Sequence, residues 1–280
     1  MAVKIITDSL SDITSDVARD MGITVVPLTV IFGHETFLDR VTITTDEFYR
    51  RLTQGTVWPT TTQPSLKVFA DIYDKLAEET NEILVITLSS KLSGTYQSAL
   101  GGKGLMGKRC RVEIIDSQSV AMGLGLIVLA AARKANAGAK LDELVSFVRG
   151  AIPRSHLLIY FDTLKYLAKG GRIGKAQGFL GSLLSVKPIL TIKDGEIAPL
   201  TRVRSLAAGT DYLYNSTAAF SRIESLAVEY TTNPQDAEQM VERISSIFPK
   251  ERIVRSTVSP VIGVYAGPGA FAVTVLEAEK

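Results

Sequence analysis

The strongest constraint on this chain is a rhythm in its first half. Apolar stretches at residues 3–7, 23–32, 83–88 and 112–115 alternate with segments that carry helix signals. Residues 14–21 read as a short helix stopped by Gly22. Thr44 and Glu47 form a capping box, in which each side chain satisfies a free N–H of the first turn, and the helix they open ends at Gly55. Ser65 caps a helix whose Val68, Phe69, Ile72 and Leu76 share one face. Residues 93–106 and 119–136 complete the helical set. Such alternation predicts a parallel sheet with right-handed crossovers. The nearly all-apolar strand at 83–88 agrees, because both faces of such a strand are covered.

Beyond residue 150 the rhythm changes. Residues 157–161 read as a strand, and two short helices flank Lys169-Gly170-Gly171-Arg172. Strands at 186–192 and 196–203 are joined by Asp194-Gly195, a strong hairpin signal. Strands near Ala227, Val254 and Val273 alternate with helices near Tyr212 and Met240. The expected architecture is α/β in two domains with a ligand cleft between them. An N-terminal parallel-sheet domain covers residues 1–150 and a C-terminal mixed α+β domain covers 151–280.

Composition removes several functions. Thirty-one Lys and Arg against 29 Asp and Glu leave a net charge of +2, which offers no general field for nucleic acid or an anionic membrane. Cys110 stands alone, so neither a disulfide framework nor a multi-cysteine zinc site is available. His34 and His156 do not supply a His-rich metal site; His34 sits in a polar turn and His156 opens a strand and reads as structural, so neither serves a Ser-His-Asp triad. No metal and no cofactor are expected. The longest apolar run, 120–132, falls short of the about 20 residues of a spanning helix and reads as a buried helix. The N-terminus lacks a secretory pattern, so a cytoplasmic location is expected and the sequon at Asn215 is read as accidental.

Candidate sites remain among hydroxyls, carboxylates and arginines. Residues 102–108 match the first part of a P-loop, but Arg109 stands where Ser or Thr is required. The segment also follows a helix and precedes a strand, so it reads as a glycine-rich turn. Thr7-Asp8-Ser9, Thr60 to Ser65, Ser89 to Thr95 and Asp116-Ser117 cluster at strand ends or helix starts, where open parallel sheets bind ligands. Helix N-termini there suit an anionic head group. Each Ser or Thr is equally explained as an N-cap, and both readings stand. Gly170-Gly171-Arg172 suits either close backbone approach to an anion or a helix C-cap. Arg202 and Arg204 share one face of a strand, and the glycine-rich run 263–269 carries Tyr265 on a sharp turn. Asp8, Asp116 and Asp162 match no metal loop.

Together these motifs resemble the DegV family. The resemblance rests on Thr7-Asp8-Ser9, Thr61-Thr62-Gln63-Pro64-Ser65, Ser89-Ser90 and Leu92-Ser93-Gly94-Thr95. It continues through Asp162-Thr163-Leu164, Gly170-Gly171-Arg172-Ile173, the motif at 183–190 and Gly267-Pro268-Gly269-Ala270, spanning 3–279 as one unit. It implies a bacterial, non-enzymatic lipid carrier that holds one long-chain fatty acid between its domains. A separate fatty acid kinase would phosphorylate the acyl carboxylate. By motif, Thr61, Thr62 and Ser93, with Gly94 and Thr95 beside it, would bind that carboxylate. Asp8, Ser9, Arg172, Arg204 and Tyr265 would lie near the head group or face the partner. The chain departs from the pattern in two places. Tyr265 stands where many members have His, and a phenol donates a hydrogen bond but is no base near neutral pH. Carboxylate binding survives that change, whereas competence with the kinase is what it touches. Thr62 replaces the usual Ser and keeps the hydroxyl.

An acyl chain of about 15 methylenes offers on the order of 10 kcal/mol of gross burial, and it needs only an apolar slot. Residues 120–132 and 179–184 are candidates to line that slot or simply core. Two rival readings are a phosphoryl-transfer or phosphate-ester enzyme using Asp8, Asp116 and Arg172, and an interaction module with an empty cleft.

Overall fold

The computed structural model describes residues 2–180 and 186–279. Residues 183–185 of the family motif and 181–184 of the candidate lining stretch lie outside the described residues.

The first half runs β1 (Lys4–Asp8), α1 (Ser15–Met21), β2 (Ile23–Val26), β3 (Thr29–Phe32), β4 (Glu35–Leu38), α2 (Thr45–Gln54) and β5 (Thr60–Thr62). It continues through α3 (Leu66–Leu76), β6 (Glu82–Thr87), α4 (Thr95–Leu105), β7 (Arg111–Asp116), α5 (Met122–Asn136) and α6 (Leu141–Ala151). The expected parallel sheet forms in the order β2-β1-β6-β7. The single strand expected over 23–32 is in fact two. β2 joins the parallel sheet, while β3 turns into a separate antiparallel sheet ordered β4-β3-β5. Pro27 sits at the break, where its missing N–H costs the ladder nothing.

Three local signals resolve in detail. Ser65 caps α3 by accepting from the Val68 N–H, as expected. The box at α2 is half-formed: Thr44 accepts from the Glu47 N–H at 3.2 Å, but the Glu47 carboxylate turns to Arg51 and Arg50. Residues 102–105 finish α4, and the Gly107 and Lys108 amides that follow donate to the Asp74 carboxylate. This order, helix then turn, is not that of a P-loop.

The second half runs β8 (Ser155–Tyr160), α7 (Lys165–Lys169), β9 (Lys187–Lys193), β10 (Glu196–Val203), α8 (Leu206–Ala218) and β11 (Ile223–Tyr230). It ends with α9 (Pro234–Ile244), β12 (Ile253–Thr257), α10 (Pro260–Ala266) and β13 (Phe271–Glu277). One mixed sheet holds its strands in the order β10-β9-β8-β13-β11-β12, with β11–β12 its parallel pair. Asp194 and Gly195, at φ 54° and 79°, make the expected hairpin.

The apolar helix α5 lies buried between the two halves. Its core neighbours include Ile5, Leu84 and Ile86 of the parallel sheet and Leu157, Ala227 and Leu276 of the mixed sheet. It begins at Met122, not at 119, because Gln118 and Ala121 take φ of 52° and 56°. Hydrogen bonds also cross the junction. Ser89 donates to the Gly195 carbonyl at 2.7 Å, and Ser256 to the Asp12 carbonyl at 2.6 Å. Among the described residues no helix is long and apolar enough to cross a membrane.

Candidate functional site

A cavity lies at this junction. Its walls are mostly apolar: Leu10, Leu28 and Leu88 from the first half, and Leu157, Phe161 and Phe271 from the second. About 160 Å³ within it is open to the centre of a water-sized sphere. Val120 and Ala121 line it, just ahead of α5, whereas Phe179 packs under Arg202. The polar side chains on its walls are Thr61, Thr62, Gln63, Ser93, Arg172, Tyr265 and Glu229.

Local structure explains how most of these meet. Thr60 to Thr62 is a strand, so its side chains alternate: Thr60 and Thr62 are exposed, and Thr61 is half-buried. The Thr61 hydroxyl lies 2.5 Å from the Tyr265 hydroxyl. Tyr265 rides on α10, which Ser259 caps and Pro260 starts. The sharp turn expected over 263–269 therefore comes only after this helix, at Gly267 with φ 71°.

The Tyr265 ring rests on the backbone of Gly170. A Cβ there would stand 2.4 Å from Tyr265 Cδ1, so the glycine makes room for the ring itself. Over the ring, 5.2 Å from its centroid, lies the Arg172 guanidinium. Arg172 Nε donates to the Leu92 carbonyl at 3.3 Å and Nη1 to that of Gly170 at 3.0 Å. Ser93 follows β6, its hydroxyl 2.9 Å from that of Thr95 and accepting from the Thr95 N–H at 3.3 Å. Two hydroxyls, a phenol and a guanidinium thus border an apolar cavity. An anionic head group buried there would meet donors, which its desolvation demands.

Other expected head-group residues do not reach the cavity. Asp8 is fully buried, accepting from the Leu10 N–H at 3.0 Å and the Leu88 N–H at 2.8 Å. It pins the end of β1 to that of β6, and burial pushes its carboxyl up to about 7. Ser9 donates to Asp39 at 2.7 Å and accepts from the Leu28 N–H. Neither side chain lines the cavity, and the cause is the same. Short side chains at a strand end are taken up by neighbouring backbone and carboxylate before a ligand can reach them. Thr95 is buried behind Ser93, and Gly94 borders an adjoining recess with Ser90, Lys91 and Gly171. Arg204 is exposed beyond β10, off the cavity wall. Gln63 was quoted only as part of a motif, whereas Glu229 and the wall residues Val258, Val261 and Ile262 carried no sign of their place in the sequence. Ser259-Pro260, an N-cap followed by proline at the first helical position, was the available sign of α10.

The carboxylates of the phosphoryl-transfer reading have other partners. Asp116 accepts from the Gln118 N–H at 2.8 Å and the Ser90 N–H at 3.2 Å, so both rival carboxylates are engaged by backbone. Among the described residues no group of three or more His, Cys, Asp or Glu is placed to hold a metal ion.

Comparison with known proteins gives a consistent picture. The sequence profile described as "Uncharacterised protein, DegV family" matches residues 2–278. A DegV domain-containing protein of Caldanaerobacter subterraneus is 38% identical over 272 residues, covering 96% of each chain. The fold superposes on a fatty-acid-binding DegV family protein of Thermus thermophilus with a TM-score of 0.92 at 30% identity, covering 99% of this chain and 100% of the other. DegV of Bacillus subtilis, a fatty-acid-binding protein, gives 0.91 at 26% identity, with the same coverage.

Proposed function

The chain belongs to the DegV family, and from that premise we propose that it binds one long-chain fatty acid in the cavity between its halves. The observation that carries this reading is an apolar cavity bordered by Thr61, Ser93, Arg172 and Tyr265. In this reading the Thr61 and Ser93 hydroxyls donate to the carboxylate, with Thr62 at the rim. Arg172 supplies the compensating charge and the acyl chain lies along the leucines. The two lobes are residues 1–150 and 151–280, and the protein works in the cytoplasm as a carrier. Its bound acid is presented to a fatty acid kinase, toward which the exposed Arg204 is directed.

Mass spectrometry tests this directly. A native spectrum of the purified protein, beside an organic extract of the denatured protein, is expected to show one fatty acid per chain. Ser93→Ala is expected to lose part of that acid at unchanged thermal stability. A clean apo mass that fails to load palmitate or oleate would end the reading.

A further inference from the structure

We infer that Glu229 forms the floor of the cavity and sets how far an acyl chain enters, which makes it a chain-length determinant. The inference rests on the fatty-acid reading above.

Glu229 is the one acidic side chain on the cavity wall among the described residues, and it is itself fully buried. It projects from β11 beside Ala272 of β13, which also lines the cavity. None of its hydrogen-bond partners is a Thr61, Ser93, Arg172 or Tyr265 group. Instead its Oε2 accepts from the Met122 N–H at 3.1 Å, at the start of α5. Its Oε1 and Asp12 Oδ2 are both buried with no N–H of the protein reaching them, and the two carboxyls interact directly. Two acceptors can do so only around a shared proton. Burial, then the charge of Asp12, holds the Glu229 carboxyl far above the usual range.

Behind this pair a buried polar network continues. Asp12 Oδ1 accepts from the Ser259 N–H at 3.0 Å and lies 3.3 Å from Arg40, which also donates to the Thr257 carbonyl. Asp39 continues it, held by Ser9 and by the Val261 N–H at 3.4 Å. Leucine or valine walls yield to a longer chain by changing rotamer. Here a methyl group pushed past Glu229 must separate a buried acid pair and offers no hydrogen bond in return. Such a break costs more than an added methylene gains. A neutral carboxyl with its polar atoms turned to Asp12 and α5 is also a tolerable neighbour for hydrocarbon.

The test loads the full chain with an equimolar ladder of saturated acids from lauric to behenic, then washes, extracts and measures the retained lengths. The wild type is expected to show one preferred length. Glu229→Ala opens the floor and shifts the preference about two carbons longer. Glu229→Asp, the milder change, shifts it by about one and carries the test if the alanine variant does not fold. Folded variants with the wild-type profile, a shift to shorter acids, or an equal loss of every length would each overturn the inference. A wild type that retains no acid at all overturns the fatty-acid reading instead.

Discussion

The phenol oxygen of Tyr265 lies 2.5 Å from Oγ1 of Thr61, joining α10 to β5 across 204 residues. One hydroxyl of this pair orients the other, so only one proton is left to donate to a ligand. Tyr265→Phe keeps the ring on Gly170 and beneath Arg172 but removes that orientation. Fatty acid affinity is expected to fall about fivefold, the worth of one neutral hydrogen bond, with little change in thermal stability. Displacement titration with a fluorescent fatty acid measures it.

Gly170 has an ordinary helical φ of −79°, so its need for glycine is steric, not conformational. The Tyr265 ring fills the space where a Cβ would stand. Gly170→Ala is expected to cost about 1–3 kcal/mol of stability by overpacking and to reduce loading by displacing the ring. Tyr265→Ala in the same chain removes the clash, so chemical denaturation of the two single variants and the double should show strong non-additivity.

What was legible in the sequence was what depends on neighbours a few residues away. The parallel strands, the Ser65 cap and the Asp194-Gly195 hairpin each have a local cause: side-chain period, a nearby free N–H or a positive φ. The strand of Thr60 to Thr62 was not legible, because nothing local distinguishes it from a loop; β3 makes it a strand. The cluster Thr7-Asp8-Ser9 was visible as hydroxyls and a carboxylate, but its direction was not, and nothing singled out the neighbouring Asp12. Asp12 bonds to Ser256 and Ser259, 244 and 247 residues away. Only tertiary packing decides that this cluster faces inward to a network and not outward to a head group. Thr61, Ser93 and Arg172 stood in segments already marked as candidates, their roles came from family resemblance, and all three line one cavity.

Asp8 gives a pH prediction. Burial raises its folded-state value from 3.8 to about 7, and Asp39 is raised to about 7 for the same reason. A folded value above the unfolded one means the folded state binds the proton more tightly. The stabilisation is therefore complete below about pH 4 and is lost as pH rises through about 7. Asp8→Asn cannot accept both amides equally well and is expected to cost about 1–3 kcal/mol at low pH. Since asparagine does not titrate, that deficit should narrow between pH 4 and 8, and urea midpoints of both proteins across the range measure it.

Arg172 provides the test of head-group charge. Two of its nitrogens are spent on the Leu92 and Gly170 carbonyls, which fixes the plane of the guanidinium above Tyr265. Nη2 has no protein partner among the described residues and remains to meet an anion. A charged hydrogen bond of this kind distinguishes a carboxylate from an ester of equal length. The wild type should prefer palmitate over methyl palmitate, and Arg172→Gln should lower that preference about tenfold while leaving ester affinity nearly unchanged. Arg172→Lys is expected to restore little, because an ammonium cannot hold two carbonyls in one plane and still face the cavity. Competition binding with the acid and the ester, at low and high salt, measures the preference. An Arg172→Gln variant that still discriminates as the wild type does would assign recognition of the charge to Thr61 and Ser93 alone.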